Sequence, residues 1–207
     1  MDEHMIPIIK KHFPSHKFLF AYRDCLPCSM SFYKAFGSLP QVMNNIYHAN
    51  KELLSGDLRK LQQNPLARHG WLTYTNGYDM QFCLQVFREC KPHPNSFEYI
   101  VLSWATELRI ILRHRSNGMH FHLLKYEDLQ ADPHSMVQGV FDYLDISADL
   151  LEIAYKSMEQ DSQLDTYFSR EKKIDNKSWV RSAESDQRCN AMLKAFDFPK
   201  LGAKTVL

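Results

Sequence analysis

The stretch over residues 17–34 constrains the fold of this chain more than any other. It opens with a short run, FLFAY, that is apolar on both faces, so residues 17–22 are predicted to form a strand buried in a parallel sheet. Arg23 and Asp24 follow where that strand should end, and Pro27 suits the first turn of a helix that ends near residue 36. The stretch therefore predicts a strand–helix unit with charged residues between its two elements.

The charged residues of this unit suggest a place for an anionic ligand. Ligands of open α/β sheets bind at the carboxyl ends of strands. Arg23, with the hydroxyl of Ser31 eight residues later and one turn into the helix, is suited to hold a phosphate together with the N–H groups of the helix start. On this stretch alone, however, the favoured interpretation is a surface pair of Arg23 and Asp24 that caps the helix.

Composition restricts the class of protein. A chain of 207 residues is long enough for one sizeable core. The net charge of +1, from 25 basic and 24 acidic residues, does not indicate a nucleic-acid-binding surface. An anionic ligand must therefore be bound by charged residues placed locally around it. The seven glycines lie far apart, which excludes a Walker loop and a dinucleotide-binding fingerprint. No apolar run reaches membrane-spanning length, and the first residues have no signal-peptide layout.

The rest of the chain reads mainly as helices around a second strand. The strongest periodic pattern predicts a helix over residues 96–115, in which Trp104 is expected to be a core residue. A turn at Asn117-Gly118 leads into a second buried-strand candidate, residues 119–126, so the helix is predicted to be a crossover that returns to a parallel sheet. Other helices are predicted over residues 3–12, 40–54, 79–90, 133–144, 147–158 and 184–196, and a polar loop over 159–182.

The second strand is followed by a motif, LKYEDLQADP, at residues 124–133, in which Asp132 and Pro133 are a good cap and first position for the next helix. Together with Tyr22-Arg23-Asp24 and Ser31, this motif resembles the carboxyl-terminal part of the sulfotransferase family, whose enzymes use 3′-phosphoadenosine 5′-phosphosulfate (PAPS). The order of the motifs and their placement at strand ends carry the resemblance. It covers about residues 5–145 in organisation, with a longer insertion between the motifs than in the compact cytosolic enzymes.

The resemblance implies a set of cofactor-binding residues. In that family an arginine at a strand end and a serine eight positions later hold the 3′-phosphate of the cofactor, which corresponds here to Arg23 and Ser31. The tyrosine of a later Tyr-Glu-Asp lies near the adenosine, which corresponds to Tyr126. A late basic loop closes over the 3′-phosphate, which makes Arg170 a candidate, although the glycines usual in that loop are missing. Lys172 and Lys173 are further candidates, but for that pair a solvated charge run is the favoured interpretation.

The resemblance also implies the fold, with one departure. The family has a P-loop-NTPase-like, three-layer α/β fold: a parallel sheet with flanking helices. Its first strand, its phosphosulfate-binding loop of glycine, threonines and a basic residue, and its usual catalytic base would fall upstream of this sequence, so no catalytic residue is assigned. We therefore expect a single incomplete domain over residues 1–207. Residues 5–145 would form the nucleotide-binding sheet and helices, 146–207 a helical and loop part, and the sheet would have an exposed edge.

These expectations define a function and its alternatives. The chain is expected to bind PAPS, or its product 3′-phosphoadenosine 5′-phosphate (PAP), and the intact family transfers the sulfuryl group to a hydroxyl or amine acceptor. Alone, these residues are expected to transfer sulfate poorly or not at all. A non-catalytic sulfotransferase-like binding module and a truncated product are the alternatives. The expected partners are the nucleotide and an unidentified acceptor, without nucleic acid or a membrane segment. The cytoplasm is the compartment expected by default, and the sequence is also compatible with a Golgi membrane anchor upstream of Met1.

Two rival sites come from other residues. Cys25-Leu26-Pro27-Cys28 has the strand–CxxC–helix layout of a thioredoxin-like redox site, in which the helix start lowers the pKa of the first thiol. Such domains are smaller, and an odd total of five cysteines favours reduced, incidental thiols. His120 and His122 would share one face of the second strand, but no partners at metal-ligand spacing accompany them.

Overall fold

The computed structural model describes residues 5–36, 82, 85–86, 89–90, 97–160 and 182–207. Its elements in chain order are α1 (Met5–His12), β1 (Phe18–Tyr22), α2 (Cys25–Phe36), α3 (Phe97–Ser116), β2 (Phe121–Lys125), α4 (Tyr126–Ala131), α5 (Pro133–Leu144), a 3₁₀ turn (Ala148–Leu150), α6 (Leu151–Glu159) and α7 (Ala183–Ala195). The isolated described residues 82, 85–86 and 89–90 are helical, in agreement with the helix predicted over 79–90. The predicted helix over 40–54 and residues 161–181 of the predicted loop lie outside the described residues.

The described strands β1 and β2 form a parallel pair. Phe18 lies opposite Phe121, and Tyr22 opposite Lys125, so the two strands end at the same edge. The intervening helix α3 confirms the predicted crossover. Gly118, at φ 81, allows the tight turn between α3 and β2, because an L side chain rarely adopts that conformation. The described residues thus form an α/β arrangement with a small parallel sheet, and the three-layer architecture stays a prediction.

The prediction that β1 is buried on both faces is wrong. Its exposure alternates along the strand, and the side chains of Leu19 and Ala21 are exposed. Phe20 and Tyr22, on the other face, pack against the core. A short apolar run does not by itself distinguish a fully buried strand from one with a solvent-facing side, and the two-residue period of exposure shows the latter.

The core is built on α3, which packs against α2 and α7. Val101, Leu102 and Ala105 are almost fully inaccessible to solvent. Trp104 is buried as well, and its ring meets that of Phe198 edge to face at 5.3 Å, which confirms its assignment to the core.

A buried ion pair links α3 to α7. Arg188 donates two hydrogen bonds to the carboxylate of Glu98, from Nε at 2.9 Å and from Nη2 at 2.8 Å. Glu98 is only 1% exposed, so this bidentate contact compensates a charge that lies inside the core.

The helix boundaries agree with the sequence signals in most places. Asp132 caps α5 as predicted, because its carboxylate accepts a hydrogen bond from the Ser135 backbone at 3.1 Å and Pro133 occupies the first turn. The helix predicted over 147–158 is divided into the 3₁₀ turn and α6. The short helix α4 was not predicted. Among the described residues, no helix is long and apolar enough to cross a membrane.

Candidate functional site

The candidate site lies where β1 and β2 end, because the sheet register brings Arg23 next to Tyr126. Tyr22 and Lys125 are paired across the strands, and each is followed directly by one of these two residues. The guanidinium carbon of Arg23 lies 4.4 Å from the centroid of the Tyr126 ring, a cation–π contact. Two side chains predicted from separate motifs are therefore in contact.

The guanidinium of Arg23 keeps hydrogen-bonding capacity. Its Nε lies 3.7 Å from Oε1 of Glu127, which is an ion-pair distance but too long for a hydrogen bond. Within the described part of the chain, both of these buried atoms lack a hydrogen-bond partner. The Arg23 side chain is 34% exposed, so solvent, or a ligand, reaches it.

The backbone around Arg23 is fixed by two further contacts. The indole N–H of Trp104 donates to the Arg23 carbonyl at 3.1 Å. The backbone N–H of Asp24 donates to Oε2 of Glu127 at 3.1 Å. The end of β1 is thus tied both to the core helix α3 and to the start of α4.

Beneath this contact lies a buried ion pair that the sequence did not reveal. Nζ of Lys125 lies 2.8 Å from Oδ1 of Asp24, and their side chains are 8% and 13% exposed. The same carboxylate oxygen accepts the backbone N–H of Thr205 at 2.7 Å, and Nζ donates to the Thr205 carbonyl at 2.9 Å. The sequence interpretation of a surface pair between Arg23 and Asp24 is therefore wrong. A lysine that ends an apolar strand was the available signal.

The charges of this pair stabilise each other. Burial alone would raise the pKa of Asp24, but the hydrogen bonds from Lys125 and from the Thr205 backbone bring it below its ordinary value. Burial alone would lower the pKa of Lys125, but Asp24 raises it above its ordinary value. Both groups are therefore charged at neutral pH.

Ser31 lies farther along its helix than predicted. The helix α2 begins at Cys25, so Ser31 is its seventh residue, about 9 Å along the axis from the first. It is exposed, and no hydrogen bond joins it to Arg23 within the described part of the chain. The expectation that it lies one turn into the helix is wrong. Arg170, Lys172 and Lys173 lie outside the described residues.

Tyr126 faces a second environment as well. It lines an open cavity of about 540 Å³ together with residues of α4, α5 and α6. Its hydroxyl accepts a hydrogen bond from Nε2 of Gln130 at 3.1 Å, which orients the ring from within α4. The ring is therefore held between this bond and the guanidinium of Arg23.

The structure also places the cysteines and histidines of the two rival sites. Cys25 is 2% exposed, and burial raises the pKa of its thiol to about 12, the opposite of what a thioredoxin-like nucleophile requires. Burial raises the pKa of Cys28 as well, and both cysteines are free thiols. His120 precedes β2, while the ring of His122 stacks on Tyr143 at 4.9 Å. No cluster with the composition of a metal site occurs among the described residues.

The fold and the site together define an α/β protein that presents an arginine and a tyrosine at the carboxyl ends of two parallel strands, the usual ligand-binding edge of such folds. The sulfotransferase domain family matches this chain over residues 7–198. Since this span covers most of the chain, the chain belongs to that family, and the resemblance inferred from the motifs is confirmed. Searches of curated proteins and of solved structures gave no match.

Proposed function

We propose that this chain binds PAPS and PAP and recognises their 3′-phosphate through Arg23. The observation that carries the proposal is the placement of the guanidinium: it lies at the strand end and its side chain is 34% exposed, while its buried Nε faces Glu127 at 3.7 Å without a hydrogen bond. The family generally uses PAPS, which makes a phosphate a fitting partner.

The chemistry of Arg23 fits a phosphate. A guanidinium offers planar donors whose geometry matches a phosphate, and charge-assisted hydrogen bonds of this kind are stronger than neutral ones. The ring of Tyr126 supports one face of the guanidinium, and Glu127 holds its Nε side at 3.7 Å, so less conformational freedom is lost when a ligand binds. Tyr126 is proposed as the contact for the adenosine part.

Two further ligands are proposed from the family resemblance. Ser31 is exposed on α2 and would donate its hydroxyl to the 3′-phosphate. Arg170 would supply a second guanidinium from the late basic loop. The three-layer, P-loop-like fold and the incomplete single domain are proposals on the same basis.

The proposed reaction is that of the family. When bound, PAPS supplies the sulfuryl group, which passes to a hydroxyl or amine of an acceptor. The residues of this site would act on the other end of the cofactor: Arg23 and Ser31 would hold the 3′-phosphate and Tyr126 the adenosine. Binding at that distance from the reacting atoms positions them without taking part in bond making.

The proposal is tested by calorimetric titration of PAP and of adenosine 5′-phosphate, which lacks the 3′-phosphate. We expect PAP to bind at least about tenfold more tightly, since hydrogen bonds to charged groups contribute about 1.5–3 kcal/mol. Arg23→Ala should abolish the preference. Arg115→Ala, which removes an exposed arginine at the end of α3, is the matched control and should keep it. Equal affinities of the wild type for both nucleotides would refute the cofactor assignment.

A further inference from the structure

We propose that the buried pair of Asp24 and Lys125, closed by the backbone of Thr205, is a positioning device that sets the 3′-phosphate selectivity of the site. The inference rests on the proposed function. It concerns residues that would not touch the nucleotide themselves but that determine where Arg23 and Tyr126 lie.

The pair joins the two segments of the chain that carry the proposed ligand residues. Asp24 directly follows Arg23, and Lys125 directly precedes Tyr126. A contact of 2.8 Å between their side chains therefore joins the two backbone segments that carry the proposed ligand residues. The bond from the Asp24 N–H to Glu127 joins the same two segments a second time. A change in this pair shifts the two segments relative to each other.

A segment near the carboxyl terminus of the sequence closes the pair. Thr205 uses both of its backbone groups, the N–H toward Asp24 at 2.7 Å and the carbonyl toward Lys125 at 2.9 Å. It is 1% exposed, whereas its neighbour Val206 is 89% exposed. Residues close to the carboxyl terminus of the sequence thus form part of the support beneath the proposed phosphate site.

The side chain of Thr205 contributes less to the pair than its backbone does. Its Oγ1 is buried and makes no hydrogen bond of normal geometry in the described part of the chain, although it lies close enough to Asp24 to contribute slightly to the lowered pKa of that carboxyl. The main contact to the ion pair is therefore made by the backbone, which predicts that Thr205→Val has a small effect and that Thr205→Pro, which removes the N–H, has a large one. These two substitutions form a matched pair at one position.

The test compares the affinities for PAP and for adenosine 5′-phosphate in these variants. We expect Thr205→Pro to weaken PAP binding about tenfold, which corresponds to about 1.4 kcal/mol, and to change the binding of adenosine 5′-phosphate by less than about twofold. Thr205→Val should leave both affinities within about twofold of the wild type. Asp24→Asn, which keeps an acceptor for the Thr205 N–H but removes the charge, should also lower the selectivity, and Asp24→Glu should restore part of it.

If the pair had a purely structural role, the substitutions would lower the thermal stability or both affinities. The ratio of the affinities for PAP and for adenosine 5′-phosphate would then stay unchanged. If the wild type prefers PAP and the folded variants keep that preference, the inference is wrong while the proposed function stands. If the wild type shows no preference, the proposed function itself fails.

A measurement on the wild type decides the matter if the variants do not fold. Because coupling between two sites is reciprocal, PAP should slow hydrogen exchange of the Thr205 amide more than adenosine 5′-phosphate does at equal saturation. Equal protection by the two nucleotides would contradict the inference.

Discussion

Arg23 is held in place by contacts to its backbone and to its side chain. The residues that make these contacts differ in how well they could be predicted from the sequence. Arg23 and Tyr126 were each predicted as ligand residues from motifs that end two strands, and the contact between them is a finding of the structure. The hydrogen bond from Trp104 to the Arg23 carbonyl was not predicted, since nothing in a helical pattern shows where an indole N–H points. Family motifs thus indicate which residues face a ligand but not which residues support them.

The pair of Asp24 and Lys125 illustrates the same limit. An aspartate beside an arginine suggests a surface pair that caps a helix. Only the tertiary structure shows that Asp24 instead pairs with Lys125, which is 101 residues later in the sequence. Sequence reasoning had no means to place Thr205 on this pair, because the contact is made by backbone atoms that every residue except proline carries.

The charge of Asp24 gives a prediction about stability and pH. Its pKa is below its ordinary value in the folded state, so its stabilising contribution is fully present above about pH 4 and is lost as the pH falls through the folded-state pKa. Asp24→Asn should lower the free energy of unfolding by about 3 kcal/mol at pH 7, because it leaves Lys125 buried without a counter-charge. Chemical denaturation between pH 3 and 7 measures this loss.

The difference between the two proteins should shrink as the pH falls below about 4, where the wild type loses the same charge. A control substitution of the exposed Asp128 by Asn should cost less than about 1 kcal/mol at neutral pH. A difference between wild type and Asp24→Asn that stays constant from pH 7 to pH 3 would contradict this account of the pair.

At the scale of elements, the helices were predicted better than the strands. The cap at Asp132 and the periodic pattern of α3 are local signals, and both were confirmed. The solvent-facing side of β1 was missed, because Leu19 and Ala21 are apolar although they are exposed. Exposure of a strand depends on what packs against it, which a local pattern does not contain.

The contact between α3 and α7 provides a prediction at this scale. Arg188→Lys keeps the positive charge but loses the bidentate geometry toward Glu98, which is 1% exposed. We expect a loss of about 1–3 kcal/mol in the free energy of unfolding, and about 3–5 kcal/mol for Arg188→Ala, which removes the positive charge that faces this buried carboxylate. Urea denaturation of both variants measures the two losses. Similar stabilities for wild type and Arg188→Ala would show that the pair does not join the helices.

At the scale of the whole molecule, family membership was predictable because two short motifs occur in the right order at the ends of two strands. The parallel pairing and the crossover through α3 were predictable for a different reason, since a strong helical period is followed by a turn at Asn117-Gly118 and a second apolar run. The three-layer architecture was expected from the resemblance and stays a prediction, while the described residues form a two-stranded parallel sheet. Acceptor recognition was not predictable, since no motif in the sequence identifies an acceptor.

The sequence leads to a prediction about turnover. On the family resemblance, a loop of glycine and threonines holds the 5′-phosphosulfate, and none of the seven glycines of residues 1–207 is followed by threonine. If the proposed function holds, we expect these residues alone to bind PAP and to transfer the sulfuryl group slowly or not at all. Radiolabelled PAPS, with carbohydrate, alcohol, phenol, tyrosine-peptide and amine acceptors, measures the transfer, and an active sulfotransferase in the same mixture is the control. Robust turnover by these residues alone would overturn the prediction.

The central claim is that Arg23 recognises the 3′-phosphate, and a thermodynamic cycle tests it most directly. The cycle combines four dissociation constants: those of PAP and adenosine 5′-phosphate, each measured with the wild type and with Arg23→Ala. Losses that affect both nucleotides equally cancel in the coupling free energy. We predict a coupling of about 1.5–3 kcal/mol between the guanidinium and the 3′-phosphate. A coupling close to zero would contradict the account, even if PAP binds tightly.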